Sequence, residues 1–232
     1  MSKKILILSP HTDDGELGCG GSISKFVEEK NDVYYAAFSC CEKSVPEEYP
    51  CDILRTEVKA ATGILGTAEP MLYDFEVREF PRLRQEILDT LINIREKLLK
   101  PGGLLVIDVP NEFNDFQVTA NAEYGLKEWW ICPPNHINYF SVSSMKHLLE
   151  KCGYSIEYCE SSFPIEIFML MGDVYVGNSE LGKACHQKRV KFEYLMKKHG
   201  KSKKLSEFYQ ALSDLDLGRQ VVVYATPDKG AD

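Results

Sequence analysis

Short β-rich apolar runs alternate with stretches of helical spacing over the first hundred positions. Lys3–Ser9 is rich in Ile and Leu, ends at a Pro-His-Thr-Asp-Asp loop and reads as a strand. Gly20–Lys30 follows with Ile23, Phe26 and Val27 at helical spacing, and Asn31-Asp32 stop it. Val33–Ser39, rich in Val, Tyr and Phe, reads as a second strand. Asp52–Leu65 carries Ile53, Leu54, Val58, Ala61 and Leu65 on one helix, with Gly66 as its C-cap. Met71–Val77 reads as a third strand. In Arg82–Leu99, the strongest helix, Ile87, Leu91, Ile94 and Leu98 share a face. Pro101-Gly102-Gly103 end it, and Leu104–Val109 is a fourth strand, apolar for most of its length.

That alternation predicts an α/β fold, a Rossmann-like three-layer sandwich built on a mostly parallel sheet. Largely apolar strands suit a sheet buried on both faces. Further on, Ser143–Cys152 reads as a helix with Ser141 or Ser143 as N-cap and Gly153 as its stop. A strand at Ser155–Glu160, helices at Gly182–Lys198 and Leu205–Ser213, and an antiparallel closing strand at Gln220–Thr226 complete the pattern. No repeat or low-complexity linker interrupts it, so residues 1–232 are expected to form a single α/β domain.

Composition narrows the class. The chain is 44% hydrophobic and 27% charged with a formal net charge of −8, which speaks against nucleic acid as a partner. Lys197–Lys204, the most basic stretch, is short and reads as a solvated helix end or loop. No apolar run approaches the length of a membrane span, and Ile5–Pro10 is too short for a signal core. Eight cysteines occur without a Cys-x-x-Cys pair, so reduced thiols and a cytoplasmic location are expected. Neither a Gly-x-Ser-x-Gly elbow nor a phosphate-binding loop is present.

His11-Thr12-Asp13-Asp14 directly follows the first strand, at the edge where open α/β sheets hold their ligands. An imidazole and a carboxylate three residues apart can reach one metal ion, and the carboxylate between them can take a proton from bound water. The alternative is that Asp13 and Asp14 simply start a helix.

The segment Ser9-Pro-His-Thr-Asp-Asp-Gly-Glu-Leu-Gly-Cys-Gly-Gly-Ser22 resembles the opening motif of the PIG-L/LmbE-type N-acetyl-sugar deacetylases. Ile53-Leu54-Arg55-Thr56-Glu57, with Ala60-Ala61 and Leu65-Gly66, resembles that family's second segment, and Asp74-Phe-Glu-Val-Arg78 its third. The resemblance covers residues 1–98. It implies a zinc site with His11 and Asp14 as metal ligands, Asp13 as general base and Arg55 as a substrate contact. The family draws its third ligand from a His-x-Asp-His motif after the fourth strand, where this chain reads Asp108-Val-Pro-Asn111. His136, in a Pro-Pro-Asn-His loop, is the nearest replacement in sequence, as metal ligand and as catalytic residue.

Residues 99–232 resemble a different family. Leu99-Lys-Pro-Gly-Gly-Leu-Leu-Val-Ile-Asp-Val-Pro-Asn111, Trp129-Trp130, Pro134-Asn-His-Ile-Asn-Tyr-Phe-Ser141, Leu148–Gly153 and Gly218–Tyr224 are similar to the C-terminal half of class I S-adenosylmethionine methyltransferases. That resemblance implies S-adenosylmethionine as cofactor and His136 or Tyr139 near a methyl acceptor. The Gly-rich loop those enzymes place after their first strand has only an out-of-register counterpart, Glu16–Ser22. Trp129, Trp130, Tyr139 and Phe140 either line an apolar pocket or pack beneath a long loop. The chain thus reads as the front of one fold joined to the back of another, near Arg95–Gly102. Three functions stand open: zinc-dependent deacetylation, methyl transfer to a small molecule, or a folded but inactive fusion.

Overall fold

The structure, a computed structural model, describes residues 2–98, 103–133 and 138–228. The chain divides into two compact units, Met1–Lys100 and Pro101–Asp232.

In the first unit, β1 (Lys4–Ser9), β2 (Asp32–Ala37) and β3 (Met71–Leu72) form a parallel sheet in that order. Alternate residues of β2 point to opposite faces, and both faces are buried. Val33, Tyr35 and Ala37 pack with Ile23 of α1 (Asp14–Glu28) and Val58 of α2 (Ile53–Leu65). Ala36 and the following Phe38 pack with Ile87, Leu91 and Ile94 of α3 (Arg84–Leu98). The expected β-α-β-α-β-α order is therefore found. Gly66 closes α2 in the left-handed conformation, with φ of 79°.

Two boundaries differ from the sequence pattern. Helix α1 begins at Asp14, not Gly20, and passes through a non-helical Cys19. Its first turns hold Gly15, Gly18 and a solvent-exposed Leu17, which hide the helical period. β3 has two residues, although Tyr73 and Phe75 N–H still donate to the Ala37 and Phe38 carbonyls at 2.9 and 3.1 Å.

In the second unit, β4 (Leu105–Pro110), β5 (Tyr154–Ser161) and β6 (Gln220–Pro227) form an antiparallel sheet in the order β4-β6-β5. Among the described residues the strands thus form two three-stranded sheets, where the sequence pattern led to one. Periodicity locates strands without naming their partners, and β4 finds an antiparallel partner in the closing strand. Val221, Val223 and Ala225 of β6 are fully buried beneath Val142, Met145 and Leu149 of α5 (Val142–Lys151).

Ser141 caps α5 in a reciprocal capping box with Ser144. Two helices without an apolar period also appear: α4 (Asp115–Tyr124), capped by Asn114, and the short α6 (Glu166–Leu170). Helices α7 (Ser179–Lys198) and α8 (Ser202–Asp214) precede β6. Among the described residues no helix is long and apolar enough to cross a membrane. Cys40, Cys41, Cys51, Cys132, Cys152, Cys159 and Cys185 are free thiols.

Candidate functional site

Because the first sheet is parallel, β1, β2 and β3 end at one edge. Beyond the strands the ladder continues: Phe38 N–H donates to the Ser9 carbonyl and Ser39 N–H to the Pro10 carbonyl, both at 3.0 Å. The loop from His11 to Asp14 therefore lies beside the segment that follows β2.

The first loop is held from below. The Tyr35 hydroxyl donates to the Thr12 carbonyl at 2.9 Å and accepts from Gly15 N–H at 3.2 Å. A Cβ at position 15 would stand 2.4 Å from Ser9 Oγ, 2.7 Å from Tyr35 Cε2 and 2.8 Å from Ile7 Cγ2. Only glycine fits, and it lets the start of α1 seat directly on the sheet.

Above this seat the Asp14 carboxylate folds back onto His11. Its Oδ2 accepts from the His11 backbone N–H at 2.8 Å and lies 3.0 Å from His11 Nδ1. The side-chain hydrogen bond raises the His11 pKa above its ordinary value, and the same bond holds Asp14 low, with burial opposing both shifts. The His11 ring stacks on Phe80 with centroids 6.3 Å apart. Asp13 is exposed at the N-cap position of α1 but makes no side-chain capping bond. Glu16, one turn in, has its carboxyl pKa pushed up by burial and by the Asp13 and Glu57 charges.

Arg55 lies in the first turn of α2 and ties two loops together. Its Nε donates to Glu42 Oε1 at 2.6 Å, after β2, and a terminal nitrogen donates to Asp74, after β3. Beside Asp74 opens a cleft of about 520 Å³ whose lining includes Lys43, Glu76, Arg78, Glu79 and Arg82. The sequence pattern assigned neither Lys43 nor Arg82 a role at the site, because an isolated basic residue carries no spacing signal.

His11 and Asp14 suit two adjoining positions around a zinc ion, an imidazole nitrogen and a carboxylate oxygen that already converge. Among the described residues no three His, Cys, Asp or Glu side chains are gathered to hold a metal. His136, the third ligand expected from the sequence, lies outside the described residues.

The second unit has its own polar cluster where β4 ends and β6 begins. Glu112 is 3% exposed; its Oε2 accepts from Gln117 Nε2 at 2.7 Å and from Arg219 at 3.2 Å. Glu166 is fully buried, with Arg219 Nε 3.6 Å from its Oε1. Burial pushes the Glu166 carboxyl pKa up against the opposing pull of Arg219. Arg219 is thus paired with two acids.

Of the aromatic residues, Trp130 is 3% exposed and sits edge-on to Trp129 and Phe113, at 4.7 and 5.7 Å between centroids. The Tyr139 hydroxyl accepts from Cys132 N–H at 3.0 Å. These contacts are packing. The Gly-rich stretch Glu16–Ser22 lies inside α1, not in a turn between strand and helix.

Comparisons with known proteins reach both parts of the chain. The family profile described as a methyltransferase domain matches residues 85–158. No curated protein matches. Among solved structures, the chain is similar to N,N'-diacetylchitobiose deacetylase from Pyrococcus horikoshii, with 25% identity, 41% of this chain and 38% of that one covered, and a TM-score of 0.37. A conserved protein from Thermus thermophilus gives 26% identity, 41% and 43% coverage, and a TM-score of 0.34. The chain thus spans 38% and 43% of the length of these two structures. Phosphoethanolamine N-methyltransferase 2 from Haemonchus contortus, solved with S-adenosyl-L-methionine, gives 14% identity, 99% and 49% coverage, and a TM-score of 0.38. Similarity to deacetylases and to methyltransferases therefore coexists in one chain, as the motifs anticipated.

Proposed function

We propose that the chain is a zinc-dependent hydrolase that removes acetyl groups from N-acetylated, sugar-like small molecules at the carboxyl edge of its first unit. The observation that carries this reading is the His11–Asp14 pair, clamped at 3.0 Å beside an exposed Asp13. Zinc bound there would polarise the acyl carbonyl and make a water acidic enough to attack near neutral pH. His11 and Asp14 are two of its donors on this reading. Asp13 makes no capping bond, so its carboxylate is open to take the proton of the attacking water and pass it to the leaving amine. The products are acetate and the free amine. Arg55 orients the substrate, sharing its guanidinium with Glu42 and Asp74.

The test is zinc content by mass spectrometry together with acetate release from N-acetylglucosamine derivatives. About one zinc per chain, lost in His11→Ala and in Asp14→Ala, supports the ligand pair. Asp13→Asn should keep the metal and lose turnover by about a hundredfold or more. Zinc-free protein that stays inactive after metal loading would overturn the reading.

A second reading, methyl transfer from S-adenosylmethionine to a small molecule, is favoured by the profile match over residues 85–158. On that reading His136 or Tyr139 stands near the acceptor. Calorimetric binding of S-adenosylmethionine is its test. On either reading the protein acts in the cytoplasm on a small molecule.

A further inference from the structure

Resting on the deacetylase reading, we infer that the substrate carries an anionic group and that Arg78, in the cleft beside the His11 loop, selects for it. Each carboxylate lining that cleft is already matched to a cation. Asp74 is held by Arg55, Glu76 by Lys43 at 3.0 Å, and Glu79 by Arg82. Arg78 lines the same cleft, is exposed to solvent, and has no ion-pair partner among the described residues. An unmatched guanidinium in a chain of net charge −8 is the local exception.

Size and chemistry agree. A cleft of about 520 Å³ is of small-molecule dimensions. Its lining residue Glu79 is joined in sequence to Phe80, whose ring stacks on His11 of the proposed reaction centre. A guanidinium presents a planar fork that matches a phosphate or carboxylate bidentately. The Lys43–Glu76 and Arg82–Glu79 pairs bridge exposed side chains, the Lys43 and Arg82 chains being 79% and 74% accessible. Such surface pairs are weak, so both cations can turn toward an incoming anion at little cost. A neutral acetylated sugar would leave Arg78 with water. An acidic one would place its charge there while the acetamide reached toward His11 and Asp13.

The experiment is titration calorimetry on the full chain, treated with chelator so that neither metal nor turnover contributes. The probes are N-acetylglucosamine 1-phosphate, N-acetylglucosamine and inorganic phosphate. The phosphorylated sugar should bind about tenfold or more tightly than the neutral one, since hydrogen bonds to charged groups carry that much. That preference should shrink as salt is raised. Arg78→Ala should abolish it, and Arg78→Lys should restore part of it. Inorganic phosphate binding as tightly as the sugar phosphate would overturn the inference by making the cleft a bare anion site. Equal affinity for the two sugars, no binding of either, or an undiminished preference in Arg78→Ala would overturn it as well. Because nothing is turned over, a failed deacetylase assay leaves this result standing, and an active enzyme indifferent to phosphate defeats this inference alone.

Discussion

At Gly15 the absence of a side chain is what the structure requires. Three atoms, on Ser9, Tyr35 and Ile7, lie within 2.8 Å of where its Cβ would be. They belong to β1 and β2, so they have little room to retreat. Gly15→Ala should lower the stability of the first unit by about 1–3 kcal/mol, the cost of overpacking a close-fitted seat, read as a drop in thermal midpoint. The His11–Asp14 pair sets a second expectation. In metal-free protein the imidazole should titrate above its ordinary 6.5, mainly through its hydrogen bond to Asp14. Asp14→Asn should bring it back toward that value, as followed by histidine NMR. The His11 shift contributes stability that is present below pH 6.5 and lost as pH rises through the raised value, whereas the Asp14 shift contributes stability that is lost as pH falls through its lowered value.

At the level of elements, Arg55 shows how one helix start can organise two loops. Its partners Glu42 and Asp74 are substantially exposed, at 42% and 76% of their side-chain surface. Arg55→Ala should therefore change stability by less than about 1 kcal/mol. If Arg55 orients substrate, the same variant should sharply reduce kcat/KM for acetate release, a split that separates its two roles. Elements were legible where their period was clean. The α2 helix, its Gly66 cap and the closing strand fall within two residues of the sequence pattern. Helix α4 was hidden because it has almost no apolar stripe and owes its start to the Asn114 cap, which accepts from Phe116 and Gln117 N–H at 3.1 Å. The spacing of His11 and Asp14 allowed their side chains to converge, and the structure brings them to within 3.0 Å of each other. The partners of Arg55 were not legible, because Glu42 and Asp74 are brought to it only by the ends of β2 and β3. The buried Glu112 and Glu166 escaped for a similar reason: nothing in an isolated acid announces that it will be covered.

Across the whole molecule, each unit carries its own core and its own electrostatic signature. In the second unit the fully buried Glu166 favours its protonated form. The sign follows from linkage: its contribution is intact below the ordinary carboxyl pKa, and stability falls as pH rises from there through the raised value. Glu166→Gln should flatten that part of the stability–pH curve relative to the unmodified chain, in denaturant titrations between pH 4 and 8. Arg219→Met, which leaves Glu112 buried without its cation, should instead cost about 3–5 kcal/mol.

The two sheets also differ in when they can be assembled during synthesis. The first adds its strands in chain order, so each finds its neighbour already made. In the second the central strand is the last to be translated: β6 lies between β4 and β5, which among the described residues have no other partner in that sheet. Until Gln220–Pro227 has left the ribosome, β4 and β5 wait as open edges. In the cell, the second unit's exposure to chaperones and to aggregation is set by the time taken to make the roughly hundred residues between its first strand and its last.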